Sequence, residues 1–469
     1  MNRRIFFISA FCFLLFAYGL SAQDTWIQTY QPFGDVNYFP EDIVVCQDGG
    51  YAVNGYYFYT DGMFFEEFGF IIKTDSDGNL LWADLDIVAS MVRTRSNAFV
   101  ETSNGDFISI GWNDFNANYI AKRDSEGNLL WAEQYDFETN SMCKTIDDQI
   151  IIGGNLGSIA LRKIDNDGNE IWTKSYQMNE NYSVCKSIIQ TIDEGYLLTG
   201  YGYFENQNTS DILVMKTDSN GDSLWTRTYD GYGYFDFGKS VAEDLNGNIM
   251  IAGQLGNPNT IGFLWYLDEN GNTIWTQEVN NSIGYSHYSV LSIPNGSFTT
   301  ICQTSLGSKL YNYDTNYYIN WNNVFTGWSG RGDKPIRLLQ NIGYIYCLER
   351  VGGNSVDNIG IAKTDSQGNV TAIDTFELSK PTNNISNFPN PFNPETTISF
   401  NLTHNIENAR IEIFNVKGEK IKVINCQNQT PIIWDGTDNN RNPVSSGVYL
   451  YRIKTDEGVS ISKKMLLLK

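Results

Sequence analysis

A ten-residue segment that ends in tryptophan recurs along the chain. Its first copy reads KTDSDGNLLW and ends at Trp82, and its second reads KRDSEGNLLW and ends at Trp131. Further copies end at Trp172, Trp225 and Trp275, and a degenerate copy ends at Trp321. The copy at 363–373 has lost its tryptophan. Trp26 lies in a similar strand but lacks the turn segment that precedes the other tryptophans. Successive tryptophans lie 56, 49, 41, 53, 50 and 46 residues apart, as loop insertions around a fixed structural unit would give.

A second, alternating segment that ends near glycine precedes each of these turns. Its seven copies are GYAVNG (50–55), DFISIGW (106–112), QIIIGGN (149–155), GYLLTGY (195–201), GNIMIAGQ (247–254), GSFTTICQ (296–303) and GYIYCLER (343–350). Four short strands in each unit of about 50 residues predict an all-β fold, a seven-bladed β-propeller over residues 23–378. Six or eight blades are alternatives, because the last two units are degenerate. The Trp26 strand is expected to pair with the last unit and close the ring.

The Asp-Ser-Asp-Gly-Asn segment at 75–79 places oxygen ligands at alternate positions, as a calcium loop does. The copies of Asp77 are Glu126, Asp167, Asn220, Asn270 and Gln367, whereas glycine is kept at 78, 127, 168, 221, 271 and 368. A metal site would not tolerate those replacements, but a turn that needs positive φ would keep its glycine. We therefore predict a structural turn whose first Asp bonds local backbone, and a Trp that packs between blades.

The Asp-x-x-Gly-Asn-x-x-Trp pattern resembles the tryptophan-docking motif of quinoprotein-type propellers, with one residue fewer between Asp and Gly. It more closely resembles the repeats of secreted bacterial propellers that carry sorting tails. The quinoprotein resemblance would imply a bound quinone and alcohol oxidation in the enzymatic members. Only structural residues match, and the sequence has no vicinal cysteine pair, so we predict no cofactor.

Few residues are suited to catalysis. The only histidines are His287 and His404, and no Ser–His–Asp order, HExxH pair or Cys–His cluster is present. Residues 233–240 fit a phosphate-binding P-loop string, but no ten-residue helix fits between the Trp225 strand and the next unit. We predict no catalytic or metal-binding residue, and the net charge of −22 argues against nucleic acid as a partner.

The N-terminus has the pattern of a secretory signal peptide. Arg3 and Arg4 precede an apolar run from Ile5 to Leu20, and small residues follow it. We predict a signal peptide over 1–22 with cleavage after Ala22; a single membrane anchor is the alternative. No later segment approaches the ~20 apolar residues of a spanning helix, so the mature chain is expected to lack a transmembrane segment. Six cysteines remain after cleavage, and buried free thiols are favoured over disulfides.

The composition changes near residue 379. A polar linker is predicted over 379–387, and short alternating strands follow over 388–469, typical of an immunoglobulin-like sandwich. The segments FPNPFNPETTISF, WDGTDNN, SSGVYLYRI and KKMLLLK resemble a type IX secretion C-terminal sorting domain. The resemblance implies that the type IX machinery recognises 388–469 and delivers the chain, via the periplasm, to the medium or the outer cell surface.

Tyrosine and phenylalanine crowd the segments after several Trp strands. Those predicted to lie in exposed loops, and therefore proposed as ligand contacts, are Tyr56, Tyr57, Phe58, Phe64, Tyr232, Tyr234 and Phe235. The alternative is that they pack over adjacent blades. The predicted function is a noncatalytic recognition or adhesion scaffold that binds glycan or a cell-surface protein. The alternative is an extracellular polysaccharide hydrolase or lyase, which would bring acidic residues and aromatics together in one central pocket.

Overall fold

A computed structural model describes residues 25–468 of the 469-residue chain, with internal gaps. The gaps are 34–35, 61–64, 86–93, 114–116, 178–181, 205–208, 232, 257–260, 280–286, 305–306, 327, 330–335, 340–342, 351–357, 371, 374–383, 389, 402–409, 416–418, 427–431 and 456–457. The predicted signal peptide and Ala22 lie outside the described residues. Within these bounds the secondary structure consists of β-strands, and no helix there is long and apolar enough to span a bilayer.

After an N-terminal strand, β1 (Trp26–Tyr30), the chain forms four-stranded antiparallel sheets one after another. In each sheet the strands pair in chain order. Blade 1 contains β2 (Asn37–Val45), β3 (Tyr51–Thr60), β4 (Phe65–Thr74) and β5 (Leu80–Leu85); blade 2 contains β6 (Thr94–Glu101), β7 (Phe107–Asn113), β8 (Asn118–Arg123) and β9 (Leu129–Tyr135); blade 3 contains β10 (Glu138–Lys144), β11 (Ile150–Asn155), β12 (Ile159–Ile164) and β13 (Glu170–Ser175).

The next three sheets repeat this arrangement. Blade 4 contains β14 (Tyr182–Gln190), β15 (Tyr196–Phe204), β16 (Thr209–Thr217) and β17 (Ser223–Tyr229); blade 5 contains β18 (Phe237–Glu243), β19 (Ile249–Leu255), β20 (Ile261–Leu267) and β21 (Thr273–Val279); blade 6 contains β22 (His287–Ser292), β23 (Phe298–Thr304), β24 (Gly307–Tyr313) and β25 (Ile319–Thr326). First strands of neighbouring blades contact one another, which places them innermost in the ring.

The seventh blade combines the two ends of the propeller. Its first three strands are β27 (Ile336–Leu339), β28 (Gly343–Arg350) and β29 (Ile359–Asp365), and the short β26 (Trp328–Ser329) pairs with β28. β1 pairs antiparallel with β29 as the fourth strand, and β30 (Ala372–Ile373) adds to β1 in parallel. The chain is thus a seven-bladed β-propeller, and the prediction that the Trp26 strand closes the ring is confirmed.

The core lies between the blades. Seven clusters of buried apolar side chains each join one blade to the next, including one that joins blade 7 to blade 1. The middle strands of a blade therefore bury both of their faces; for example, all six residues of β12, the third strand of blade 3, are buried. The described cysteines of the ring, Cys46, Cys143, Cys185, Cys302 and Cys347, are free thiols, as predicted.

Because the strands of a blade run antiparallel, its connections alternate between two ends of the ring. Turns from first to second strand and from third to fourth strand lie on one end, which we call the tight-turn face; residues 46–50 and 75–79 are examples. Connections from second to third strand, and from one blade to the next, lie on the other end, the long-loop face. The segment 230–236 between blades 4 and 5 belongs to the long-loop face.

The C-terminal region forms a two-sheet sandwich around Phe392, Trp434 and Tyr449, which agrees with the immunoglobulin-like prediction. Its first strand begins at Asn384, inside the segment predicted as linker. One sheet contains β31 (Asn384–Phe388), β32 (Thr396–Asn401) and β35 (Ile432–Trp434); the other contains β33 (Arg410–Asn415), β34 (Lys420–Asn425), β36 (Gly447–Thr455) and β37 (Gly458–Leu467).

Candidate ligand-binding site

The repeated aspartates of the tight-turn face are occupied by their own turns. Asp165 Oδ1 accepts hydrogen bonds from the backbone N–H groups of Asp167 and Asn169, each at 2.9 Å, and Oδ2 accepts from the Asn169 side chain. Desolvation raises the pKa of Asp165, but these hydrogen bonds outweigh it and leave that pKa below its usual value. The same bonds recur at Asp75, Asp124, Asp268 and Asp365, which confirms the structural-turn prediction.

Five of the repeated tryptophans dock on the turn glycine of the following blade. Gly168 has φ of 88°, and a Cβ placed there would lie 2.5 Å from the Trp131 indole. Trp26 lies on Gly78 in the same way, so this contact continues through the ring closure. Further pairs are Trp82 on Gly127, Trp172 on Gly221 and Trp321 on Gly368. The prediction that these tryptophans pack between blades is confirmed.

Two further contacts of the tight-turn face were not predicted. The hydroxyls of Tyr30, Tyr176 and Tyr229 donate to the carbonyls of Gly78, Gly221 and Gly271 in the next blade, each at 2.6 Å. Each of these tyrosines follows a repeat tryptophan by four residues, a spacing that could have been found in the sequence.

The second unpredicted contact involves a buried lysine at the end of the third strand in blades 1–4. It reaches the aspartate of the first turn in its own blade, and the side chains of these lysines are at most 10% exposed. The pairs are Lys73–Asp48, Lys122–Asp106, Lys163–Asp147 and Lys216–Asp193. The repeated aspartates, tyrosines and lysines of the tight-turn face thus bond within their own blade or to the next blade.

The predicted contact residues of blade 1 lie in strands rather than in an exposed loop. Tyr56 and Tyr57 belong to β3 and are 8% and 7% exposed, so the expectation that they are exposed is wrong. Tyr57 stacks between Phe33 and Phe68, with ring centroids 5.5 and 5.3 Å away. The cause is length: β3 and β4 continue past the ends of most equivalent strands, and aromatic neighbours cover the extension. Phe58 is half-buried, and Phe64 lies outside the described residues.

Tyr56 forms part of a charged cluster between blades 1 and 2. The Arg95 guanidinium lies over the Tyr56 ring at 3.9 Å and over Trp112 at 5.2 Å, and it forms a bidentate pair with Glu67. Burial, which is the largest cause, together with the charges of Glu41, Glu67 and Glu349 raises the pKa of Tyr56 to about 12, although the charge of Arg95 lowers it. Carboxylates and aromatic rings therefore meet at this point of the ring.

A group of less buried aromatic rings lies on the long-loop face of blade 4 and of its connection to blade 5. We call this group the blade 4 aromatic strip: Tyr182, Tyr201, Tyr203, Tyr234, Phe235 and Phe237. Tyr234 is 49% exposed and Phe235 is 41% exposed, as the sequence predicted. The rings of Tyr203 and Phe235 are within 3° of parallel, with centroids 6.4 Å apart, and Tyr201 meets Phe237 edge-on at 4.8 Å. Tyr232, predicted with them, lies outside the described residues.

A buried carboxylate holds the loop that presents Tyr234 and Phe235. Asp236 is fully buried, and its two oxygens accept from the N–H groups of Gly231 at 2.7 Å and Gly256 at 2.8 Å. The backbone N–H of Asp236 also donates to Ser210 O at 2.8 Å, and the backbone N–H of Ser210 donates to Tyr234 O. These bonds fix the backbone of the loop next to the two rings.

At the other end of the strip, the Tyr182 hydroxyl donates to the Glu138 carboxylate, 2.9 Å from Oε2. Desolvation, followed by the charge of Glu138, raises the pKa of Tyr182. This phenol therefore stays neutral and oriented through the physiological range. Tyr182 itself is 38% exposed.

The described residues contain no group of three or more His, Cys, Asp or Glu placed to hold a metal ion. The P-loop string at 233–240 runs into strand β18, where a nucleotide-binding P-loop would begin a helix.

Comparison with known families places the C-terminal region. A model described as the secretion system C-terminal sorting domain matches residues 386–468. The chain ends in a type IX sorting domain. It is therefore exported through the type IX system to the outer cell surface or beyond, as predicted from its motifs. No curated protein matches the sequence.

Solved structures resemble the chain distantly. PorZ, a surface component of the type IX secretion system of Porphyromonas gingivalis, matches with 12% identity and a TM-score of 0.45 over 89% of this chain. The match covers 58% of PorZ, so the chain spans little more than half of that protein. BamB from Moraxella catarrhalis matches with 10% identity and a TM-score of 0.37, covering 72% of this chain and 96% of BamB. Puromycin hydrolase matches with 10% identity and a TM-score of 0.47, covering 77% of this chain and 58% of the hydrolase. None of these matches assigns an activity to this chain.

Proposed function

We propose that this protein is an exported, noncatalytic recognition scaffold whose propeller binds an extracellular ligand through its long-loop face. The observation that carries the proposal is the loop 230–236, where a buried carboxylate holds two exposed aromatic rings in place. Exposed aromatics on a fixed loop are typical of contact surfaces, because they bury a large apolar area at little entropy cost.

The carboxylates next to these rings support a binding role. Asp236 accepts two backbone N–H groups, and Glu138 accepts the Tyr182 hydroxyl. Groups used in this way orient the surface and are poor candidates for general acid or base, which needs a proton exchanged with substrate.

A separate observation supports a second candidate function, that of an extracellular polysaccharide hydrolase or lyase. The Glu67 carboxylate pairs with Arg95, whose guanidinium lies 3.9 Å over the Tyr56 ring, and the charges of Glu41 and Glu349 also raise the pKa of Tyr56. Carboxylates and aromatic rings are therefore near each other at blade 1, as a polysaccharide hydrolase or lyase would require. Incubating the mature chain with a panel of polysaccharides tests this candidate. Cleavage that Glu41→Gln and Glu67→Gln abolish would establish the enzyme and overturn the noncatalytic scaffold.

The recognition role is tested with the full mature chain and two variants. Tyr234→Ala/Phe235→Ala removes the exposed rings of the long-loop face; Tyr318→Ala removes a ring that is 74% exposed on the tight-turn face and serves as the control. We expect capture on a panel of immobilised glycans and extracellular matrix proteins to be lost in the double variant alone. Equal capture by all three chains would refute the proposal.

Delivery has a separate test in the native host. Deleting residues 388–469 should leave the propeller in the periplasm, because the segment matched by the sorting-domain model is gone. Undiminished appearance of the truncated chain in the medium or on the cell surface would contradict the assigned route.

A further inference from the structure

The blade 4 aromatic strip, taken as the binding surface of the proposed function, has a chemistry that narrows the ligand. We infer that it binds a neutral oligosaccharide, whose pyranose rings lie on the exposed faces of Tyr234 and Phe235. The inference rests on the proposed function and names the ligand class of that surface.

Charge is the first argument. The described residues of the segments that bear most of the strip, 200–204, 209–212, 229–231 and 233–238, include the acids Asp211, Asp230 and Asp236 and have no lysine, arginine or histidine. At the other end of the strip, Tyr182 bonds to the carboxylate of Glu138. An anionic glycan would meet only like charge from these segments, and the propeller as a whole has 19 Lys and Arg against 46 Asp and Glu. A neutral sugar meets no such repulsion.

The rings supply the second argument. Aromatic faces are electron-rich, and the axial C–H groups of a pyranose carry partial positive charge, so the two stack face to face. Tyr234 and Phe235, which are consecutive in the loop, are 49% and 41% exposed, and the Tyr203 ring lies parallel to that of Phe235 with centroids 6.4 Å apart. Tyrosine hydroxyls along the strip, such as that of Tyr182, give sugar hydroxyls polar partners.

The loop supplies the third argument. Weak, shallow contacts give useful affinity only when little entropy is lost on binding. The bonds of Asp236 to Gly231 and Gly256, together with that of Gly233 N–H to Asp230 at 2.6 Å, fix the backbone on both sides of the two rings. A loop whose backbone is held in this way suits a sugar chain that also has a limited set of conformations.

The experiment measures the affinity of the mature chain for four neutral probes, cellohexaose, hexa-N-acetylchitohexaose, maltohexaose and mannohexaose, and for anionic polygalacturonate. Immobilised fibronectin and collagen are protein probes. The variants are Tyr234→Ala/Phe235→Ala and the control Tyr318→Ala, both checked for unchanged thermal unfolding. We expect at least one neutral probe to bind, with affinity at least about tenfold weaker in the double variant and unchanged in the control.

The remaining outcomes overturn the inference in distinguishable ways. If polygalacturonate binds as tightly as the neutral probes or more tightly, the inference that the ligand is a neutral oligosaccharide is wrong. Binding to a protein probe alone, lost in the double variant, refutes the glycan and leaves the proposed function standing. If the double variant binds every probe as the unmodified chain does, or if no probe binds, both the inference and the proposed function fail.

Discussion

The two faces of the propeller use the same residue types for different purposes. On the tight-turn face, the first aspartate of each repeat turn accepts from its own turn, and five of the repeated tryptophans dock on a turn glycine of the next blade. On the long-loop face, Asp236 also accepts backbone N–H groups, but the rings it positions, Tyr234 and Phe235, point to solvent. Repetition therefore marks the residues that hold the ring together, and departure from repetition marks those that we propose bind the ligand.

The largest effect should come from Gly168→Ala. Its Cβ would lie 2.5 Å from Trp131, in addition to the strain of a φ of 88°, so we expect a loss of about 3 kcal/mol or more in unfolding free energy. Gly105→Ala is the matched control, because its φ is 83° but its nearest neighbour is 3.7 Å away; strain alone should cost about 1–2 kcal/mol. Guanidinium unfolding measures both. Equal losses would contradict the docking role of Trp131.

A smaller effect is expected from Tyr176→Phe. The hydroxyl donates to Gly221 O across the blade boundary at 2.6 Å, and its loss leaves that carbonyl without this donor. We expect about 1 kcal/mol of destabilisation in the same unfolding assay. Tyr318→Phe, on an exposed ring of the same face, should change nothing measurable. No difference between the two variants would remove the Tyr176 hydroxyl from the inter-blade contacts.

Low pH should reduce the stability that the tight-turn face provides, whereas ligand binding on the long-loop face should not change between pH 5 and 8. Hydrogen bonds within the turns outweigh desolvation and hold the pKa values of Asp75 and Asp165 below the unfolded value of about 3.9. Their contribution is complete above that pH and is lost as pH falls through the lower folded pKa values. We therefore expect thermal stability to fall below about pH 4, with a shallower fall in Asp165→Asn. Ligand binding at the strip should stay constant between pH 5 and 8, where the raised pKa keeps Tyr182 neutral. A binding transition within that range would contradict the assignment.

The smallest expected effect is that of a reducing agent. The six described cysteines are free, and burial raises the pKa of Cys302 to about 12, so its thiol stays protonated. Dithiothreitol should leave the thermal midpoint unchanged. A downward shift would reveal a disulfide and revise the account of what holds the blades.

The repeat allowed the blade count, the closure by Trp26 and the turn role of Asp75 to be predicted, because each copy of a unit tests the others. Tyr56 and Tyr57 could not be placed in the same way. A Tyr-Tyr-Phe-Tyr run fits an exposed insertion and a longer strand equally well, and only the tertiary contacts with Phe33 and Phe68 bury Tyr57. Tyr234 and Phe235 were placed correctly, since Gly231 and Gly233 make their segment a loop. The role of Asp236 depends on Gly256, twenty residues later, which no local pattern reveals.

The most direct test of this division of labour measures ligand capture and thermal midpoint together in Tyr234→Ala/Phe235→Ala, with Gly168→Ala alongside. We expect the double variant to keep its thermal midpoint and to capture the ligand about tenfold more weakly or worse. Gly168→Ala should have a lower thermal midpoint and should capture the ligand normally at temperatures where it is folded. Full capture by the double variant at an unchanged midpoint would contradict the assignment of recognition to the long-loop face.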